Sequence, residues 1–219
     1  MNAADARRLG MLLERIHAQA SNGLAFSTNE YDVRRYADIV RTLGEMGSLL
    51  EAGDLLENGS AIGLGRPASA IGSQEYATPK IAVAAVVFSP EHEVLLVQRE
   101  QRLWTLPGGY ADVGFDPARN AENEVKEETG LDVRVTAVVG IYDSSLHKFP
   151  TFGRHVYTIV FHAELLGGSL CADPVETLGA SFYNVDSLPP VPHVISSQID
   201  LAYRIHHGVS VKAFVDREG

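Results

Sequence analysis

Residues Gly108-Gly109-Tyr110-Ala111-Asp112-Val113-Gly114-Phe115, followed by Asn123-Glu124-Val125-Lys126-Glu127-Glu128-Thr129-Gly130-Leu131, decide how this chain folds. The second part places Glu124, Glu127 and Glu128 at i, i+3 and i+4, so a helix would carry all three carboxylates on one face. Like charges so placed repel, each pair by roughly a few tenths of a kcal/mol. A hard divalent cation, which takes oxygen ligands, is the best reason to keep them together. The flanks predict that helix. Asp116 suits the N-cap, Pro117 the first turn, and Gly130 the position just past the C-terminus. Ala118, Ala121 and Val125 give it a narrow apolar stripe. Ahead of it, Pro107-Gly108-Gly109 makes a loop whose backbone can approach a ligand closely. A charge run is more commonly a solvated face. The Gly-Gly turn and the fixed spacing weigh against that here.

The stretch resembles the Nudix box, G-x5-E-x7-R-E-U-x-E-E-x-G-U with U apolar, the metal-binding loop–helix–loop of hydrolases that cleave a nucleoside diphosphate linked to another group. Gly109 matches the opening glycine, and Glu124, Val125, Glu127, Glu128, Gly130 and Leu131 match the second half. Two positions depart: Phe115 stands at the first Glu and Asn123 at the Arg. The resemblance implies that Glu127 and Glu128 ligate Mg²⁺ (or Mn²⁺), with the Gly108 carbonyl as another ligand. Glu124 would be a further ligand, or would orient or deprotonate the attacking water. The family arginine pairs with acidic members of the box, a charge that Asn123 does not carry. Residues 12–52 resemble the small N-terminal helical domain of one Nudix branch, whose members act on CDP-choline, ADP-ribose and related nucleoside diphosphate-X compounds. Gly109–Gly114 and Ile141-Tyr142-Asp143 with His147 look like that branch too.

Composition bounds the rest. The chain has 219 residues, of which 45% are hydrophobic, enough for a domain of typical size plus a smaller one. With 18 Lys and Arg against 28 Asp and Glu, the net charge is −10. That argues against broad attraction to nucleic acid or anionic membrane, though metal and local arginines can invert the field in one cleft. The single cysteine, Cys171, excludes an intramolecular disulfide and fits a reducing compartment. No run approaches the roughly 18 apolar residues of a membrane helix, and the N-terminus lacks a signal-peptide core. The expectation is a soluble cytoplasmic protein.

Residues 4–21 show helical periodicity, with Asn22-Gly23 as the expected stop. Ser27-Thr28-Asn29-Glu30 offers N-caps for a second helix running to about Ala52. Two helices this small cannot bury both faces alone, so they should pack on the catalytic domain or on a second subunit, and homodimerisation through them is the expectation. The domains then read as 1–55 helical, 56–79 linker and 80–219 Nudix. Within the last, strands are expected at Ile81–Phe88, Val94–Arg99, Asp132–Tyr142, His155–Leu166 and Ser181–Val185, with a closing helix over Val194–His206. Strands on both sides of the acidic helix suggest an α/β/α sandwich with a mixed sheet.

Other candidates are less distinctive. Arg99 ends a strand before the box, where it either reaches substrate phosphate or forms a surface salt bridge. Trp104 stacks on a base or fills the core. His147 and Lys148 sit on a loop after Tyr142-Asp143, and Glu176 precedes the Leu178–Tyr183 segment; each is a substrate contact or an ordinary loop residue. His206-His207 is expected at a helix C-terminus, where cationic histidine is favourable. Three other activities stand beside the NDP-X hydrolase: a phosphohydrolase releasing orthophosphate, a non-catalytic nucleotide sensor, and an RNA-processing relative, the last weakened by the net charge.

Overall fold

The structure is a computed structural model that describes residues 3–52, 78–99, 102–147, 155–172 and 177–217. The described residues fall into two compact units, one carrying the N-terminal helices and the other running on from Ile81. The expected linker lies almost entirely outside the described residues, as do Lys148 and Glu176.

The first unit is a pair of helices of nearly equal length, α1 (Ala3–Phe26) and α2 (Glu30–Ala52). Asn29 caps α2, its Oδ1 accepting from the Tyr31 N–H at 2.8 Å. The expected stop at Asn22-Gly23 is corrected: α1 continues through it to Phe26. Gly23 serves the packing of the two helices. A Cβ there would stand 2.5 Å from the Tyr36 ring of α2, so the missing side chain is what lets the ring lie against α1. Leu13, Ala20 and Leu43 are buried, whereas Leu12, Ile16, Ile39 and Met46 remain exposed.

The second unit is built on one mixed sheet. Its elements are β1 (Lys80–Phe88), β2 (Val94–Gln98), β3 (Trp104–Thr105), β4 (Gly108–Tyr110), α3 (Pro117–Thr129), β5 (Leu131–Asp143), β6 (Val156–Gly168), β7 (Gly179–Tyr183), α4 (His193–His206) and β8 (Phe214–Val215). The main path runs β3-β2-β1-β6-β5-β8, with β4 on β1 and β7 on β2. β1 pairs antiparallel with β2 and β4, β2 with β3 and β7, and β5 with β6, whereas β5 and β8 run parallel. β3, β4 and β8 are too short to show a period in the sequence. β7 begins and ends two residues ahead of its expected span, because its pairing with β2 runs Gly179 to Tyr183.

Side chains alternate across a strand, and the alternation sorts the sheet into two packed faces. Ala85, Val87, Leu95, Leu131, Val133 and Ala163 pack with Val125 of α3, while Val83 and Phe161 pack with Ala121. On the opposite face Phe88 meets Tyr203 and His206 of α4, with centroids at 5.6 and 4.7 Å. The fold is therefore the expected α/β/α sandwich. β1 is buried on both faces, which is why it reads as a continuous Val/Ala run.

Under α4 lies a chain of imidazoles. Thr136 Oγ1 lies 2.7 Å from His162 Nδ1, His162 Nε2 lies 3.4 Å from His206 Nδ1, and His206 Nε2 lies 3.0 Å from His92 Nδ1. His206-His207 does sit at the C-terminus of α4, but the expectation that His206 is held cationic there is corrected. Burial first, then the positive charges of His92 and His207, lower its pKa below 6.5 against the smaller pull of Glu164. Burial and His206 lower His162 likewise. The unfolded chain therefore binds protons below pH ~6.5 that the folded chain refuses. Stability should be full above that pH and fall as pH drops from there through the lowered folded values. Urea midpoints at pH 7.5 and 5.5 should show the loss, and His206→Gln should flatten it. An unchanged slope in that variant would assign the acid sensitivity elsewhere.

Candidate active site

Helix α3 is placed by local chemistry. Asp116 Oδ1 accepts from the Arg119 N–H at 2.8 Å, Pro117 opens the helix, and Gly130 closes it with φ 73°, its N–H donating to the Lys126 carbonyl. Ala121 and Val125 are fully buried against the sheet. That anchoring turns Glu124 and Glu128 toward β4 and leaves Glu127 exposed.

β4 brings the Gly-Gly loop to those carboxylates. Gly108 pairs with Ala84 and Gly109 with Val83 of β1. Gly108 takes φ 155°, and a Cβ there would stand 2.2 Å from the Val83 carbonyl oxygen. A Cβ on Gly109 would meet Glu124 Oε1 at 2.5 Å and Oε2 at 2.8 Å. The Glu124 carboxylate thus rests directly on the Gly109 backbone, a contact no other residue type permits without moving it.

Glu128 is the deepest of the three, with 1% of its side chain exposed. Its Oε2 accepts from the Gly108 N–H at 2.9 Å, and its Oε1 pairs with Arg99 Nη1. Arg99 Nη2 in turn donates to the Gly108 carbonyl. Of the two expectations for Arg99, the structure shows an ion pair, but to a buried partner in the box. A carboxylate removed from water needs such partners, since ion burial costs several kcal/mol, about the size of a whole domain's margin when unpaired.

One positioning residue escaped the sequence. Asn120 is 5% exposed and ties the loop ahead of α3. Its Oδ1 accepts from the Asp112 N–H at 2.8 Å, and its Nδ2 donates to the carbonyls of Asp112, Phe115 and Asp116. Glu122, also unmarked by the sequence, accepts from the Val135 N–H at 3.0 Å where β5 is irregular. The only signal for either was a polar residue beside the apolar stripe of a helix. Phe115 and Val113 on the same loop are exposed.

The remaining candidates have partners of their own. Trp104 is half-buried on β3 and meets Tyr183 edge-on, with centroids at 4.9 Å. His147 Nε2 lies 2.7 Å from Asp216 Oδ2, which also accepts from the Asp143 N–H at 2.8 Å. Beside it, burial and then the Asp216 charge push the Tyr142 phenol up to about 12. Cys171 is exposed, and its N–H donates to the Thr129 carbonyl.

The oxygen donors of Glu124, Glu127, Glu128 and the Gly108 carbonyl suit a hard cation by their chemistry. Among the described residues, however, no three acidic, histidine or cysteine side chains close on a common point that would hold a metal ion. Two of the four expected ligands are engaged by Arg99 instead.

The NUDIX domain pattern matches residues 78–200, which takes in β1 to β7, α3 and the loop before it. This chain belongs to the NUDIX family, and is a hydrolase acting on pyrophosphate bonds. It is 34% identical over 179 residues to the "Putative ADP-ribose pyrophosphatase YjhB" of Bacillus subtilis (strain 168), covering 81% of each chain. The solved structure of an ADP-ribose pyrophosphatase from Streptococcus suis 89-1591 superposes with a TM-score of 0.55 at 33% identity, over 64% of this chain and 100% of that one. A solved UDP-X diphosphatase matches over 99% of this chain and 100% of its own, with a TM-score of 0.56 at 27% identity. Among the described residues no helix is long and apolar enough to cross a membrane.

Proposed function

We propose that this protein hydrolyses nucleoside diphosphates linked to a second group, giving a nucleoside monophosphate and phospho-X, and that it needs Mg²⁺ or Mn²⁺ to do so. The observation that carries this is the seating of Glu124 and Glu128 on either glycine of the Gly108-Gly109 loop. Similarity to relatives named as ADP-ribose pyrophosphatases, and to a UDP-X diphosphatase along nearly the whole chain, supports a diphosphate with a substituent on each end.

Glu124, Glu127, Glu128 and the Gly108 carbonyl would hold the cation. When bound, it neutralises phosphate charge and polarises the phosphorus–oxygen bonds. Glu124 orients the attacking water and takes its proton. The water oxygen then bonds to one phosphorus as the bridging P–O bond breaks. Asn120 and the caps of α3 keep the loop and the carboxylates in register during that step. His147, held by Asp216, and Trp104, held by Tyr183, are the proposed contacts to the nucleotide or to X. Arg99 is the proposed phosphate contact, once it is free of Glu128.

The test is a panel of ADP-ribose, CDP-choline, a UDP-sugar, ATP and ADP with each metal, separated by chromatography with orthophosphate assayed alongside. Monophosphate plus phospho-X without free phosphate is the expected result. Orthophosphate from ATP or ADP would replace it with the phosphohydrolase. Silence across the panel, with nucleotide still bound, would replace it with the sensor.

The helical unit is the proposed homodimer contact. Leu12 and Ile16 on α1, and Ile39 and Met46 on α2, leave apolar surface exposed at helical spacing. A monomer by light scattering across micromolar concentrations would remove this assignment.

A further inference from the structure

We propose that Arg99 is an internal counter-cation: it occupies the places of the divalent metal on Glu128 and Gly108 until the metal displaces it, and is thereby released toward substrate phosphate. This rests on the metal assignment made above. Three observations carry it. The guanidinium bridges the Glu128 carboxylate and the Gly108 carbonyl, while the Gly108 N–H closes the ring by donating to the other Glu128 oxygen at 2.9 Å. Those two oxygens belong to the same small set that the box offers to a cation. Finally, α3 carries Asn123 where the box pattern has an arginine, so the helix itself supplies no guanidinium at that place.

The backbone of Arg99 is set for this role. Its N–H donates to the Leu103 carbonyl at 3.0 Å, and the Arg102 N–H donates back to the Arg99 carbonyl at 2.7 Å. Arg102 adopts φ 59°, and these two hydrogen bonds fix the backbone of Arg99 just beyond β2. Glu128 is buried on a helix anchored by Val125 and Ala121. Arg99 keeps 26% of its side chain exposed, so it has a route out.

Charge then makes the exchange obligatory. A guanidinium and a divalent cation on the same carbonyl oxygen would sit within a few ångströms in a partly dry site, where their repulsion is weakly screened. Metal entry therefore requires the guanidinium to leave, and metal removal invites it back. A displaced guanidinium retains five donors in a planar fork and stays beside the metal-bearing loop. Its natural new partner is a phosphate oxygen of the substrate. Arg99 is a positioning residue in the free protein. It holds Glu128 and the Gly108 loop in place without metal, the task that the helix arginine performs in the family pattern.

The test is Mg²⁺ and Mn²⁺ binding by titration calorimetry without nucleotide, on the wild type, Arg99→Gln, Arg99→Lys and Glu127→Gln. Arg99→Gln should bind the cation on the order of tenfold tighter, the scale of an ordinary coupling between two bound groups. Arg99→Lys should return affinity toward wild type, because it restores the charge. An affinity in Arg99→Gln equal to or weaker than wild type, with Glu127→Gln abolishing binding, would overturn the exchange while leaving the metal site standing. No cation binding in the wild type, or binding indifferent to Glu127→Gln, would overturn the metal assignment itself. If Arg99→Gln does not fold, Arg99 Nε–H NMR in the wild type decides. Saturating Mg²⁺ should move that signal, and a stationary signal under saturation would sink the proposal.

Discussion

Glu128→Ala is expected to lower the unfolding free energy by about 3 kcal/mol, toward the lower end of the ~3–5 kcal/mol lost when a buried ion pair is broken on one side. The carboxylate is 1% exposed, and it satisfies both the Arg99 guanidinium and the Gly108 N–H. Alanine removes the acceptor from both donors. The estimate stays low in the range because Arg99 is 26% exposed and water can reach part of the orphaned charge. Urea denaturation at neutral pH measures it. The double variant Arg99→Met with Glu128→Met should regain most of the loss, since a packed apolar pair is commonly no less stable than a buried ionic one. A single-variant loss under about 1 kcal/mol would show that the pair holds the loop without holding the fold.

Glu124→Gln is expected to act the other way round, with little change in melting and a fall in kcat of roughly 10²–10⁴-fold, the span for a missing general base. Glu124 is only half-buried, and glutamine keeps its shape while losing the charge and the proton affinity. Gly109→Ala tests the same point from the opposite side of the contact. Its Cβ would fall 2.5 Å from Glu124 Oε1, and a flexible carboxylate can yield where a backbone cannot. That variant should fold normally and lose activity. Gly108→Ala, blocked by the Val83 carbonyl at 2.2 Å, should lose both. Wild-type turnover in Glu124→Gln would move the proton-accepting role to another acid.

What could be read from the sequence was what depends on near neighbours. The caps of α3 at Asp116 and Gly130, its buried stripe at Ala121 and Val125, and the alternation of the long strands all lie within a few residues of their cause. The partnership of Arg99 with Glu128 was hidden because it depends on β2, β1 and β4 lying side by side, and each of those registers is a tertiary result. Gly23 misled for a related reason. A glycine inside a helical pattern commonly marks an end, but here its function is set by Tyr36 on the next helix. His206 was misjudged because the helix-end argument counts only its own helix, while its titration is governed by burial and by His92 from the β1–β2 turn. Asn120 carried no periodic signal at all, since its partners are backbone groups of the preceding loop.

β8 has a consequence for handling the protein. Phe214 and Val215 lie along Gly140 and Ile141 on the outer flank of β5, and Phe214 stacks on Tyr142 at 5.1 Å. Without that short cover, part of β5 would present bare N–H and C=O groups to solvent, together with half-exposed Val138 and Ile141. Such an edge templates strand addition between molecules. Shortening the chain before Phe214, or fusing a bulky partner there, would invite self-association that could be mistaken for native oligomerisation.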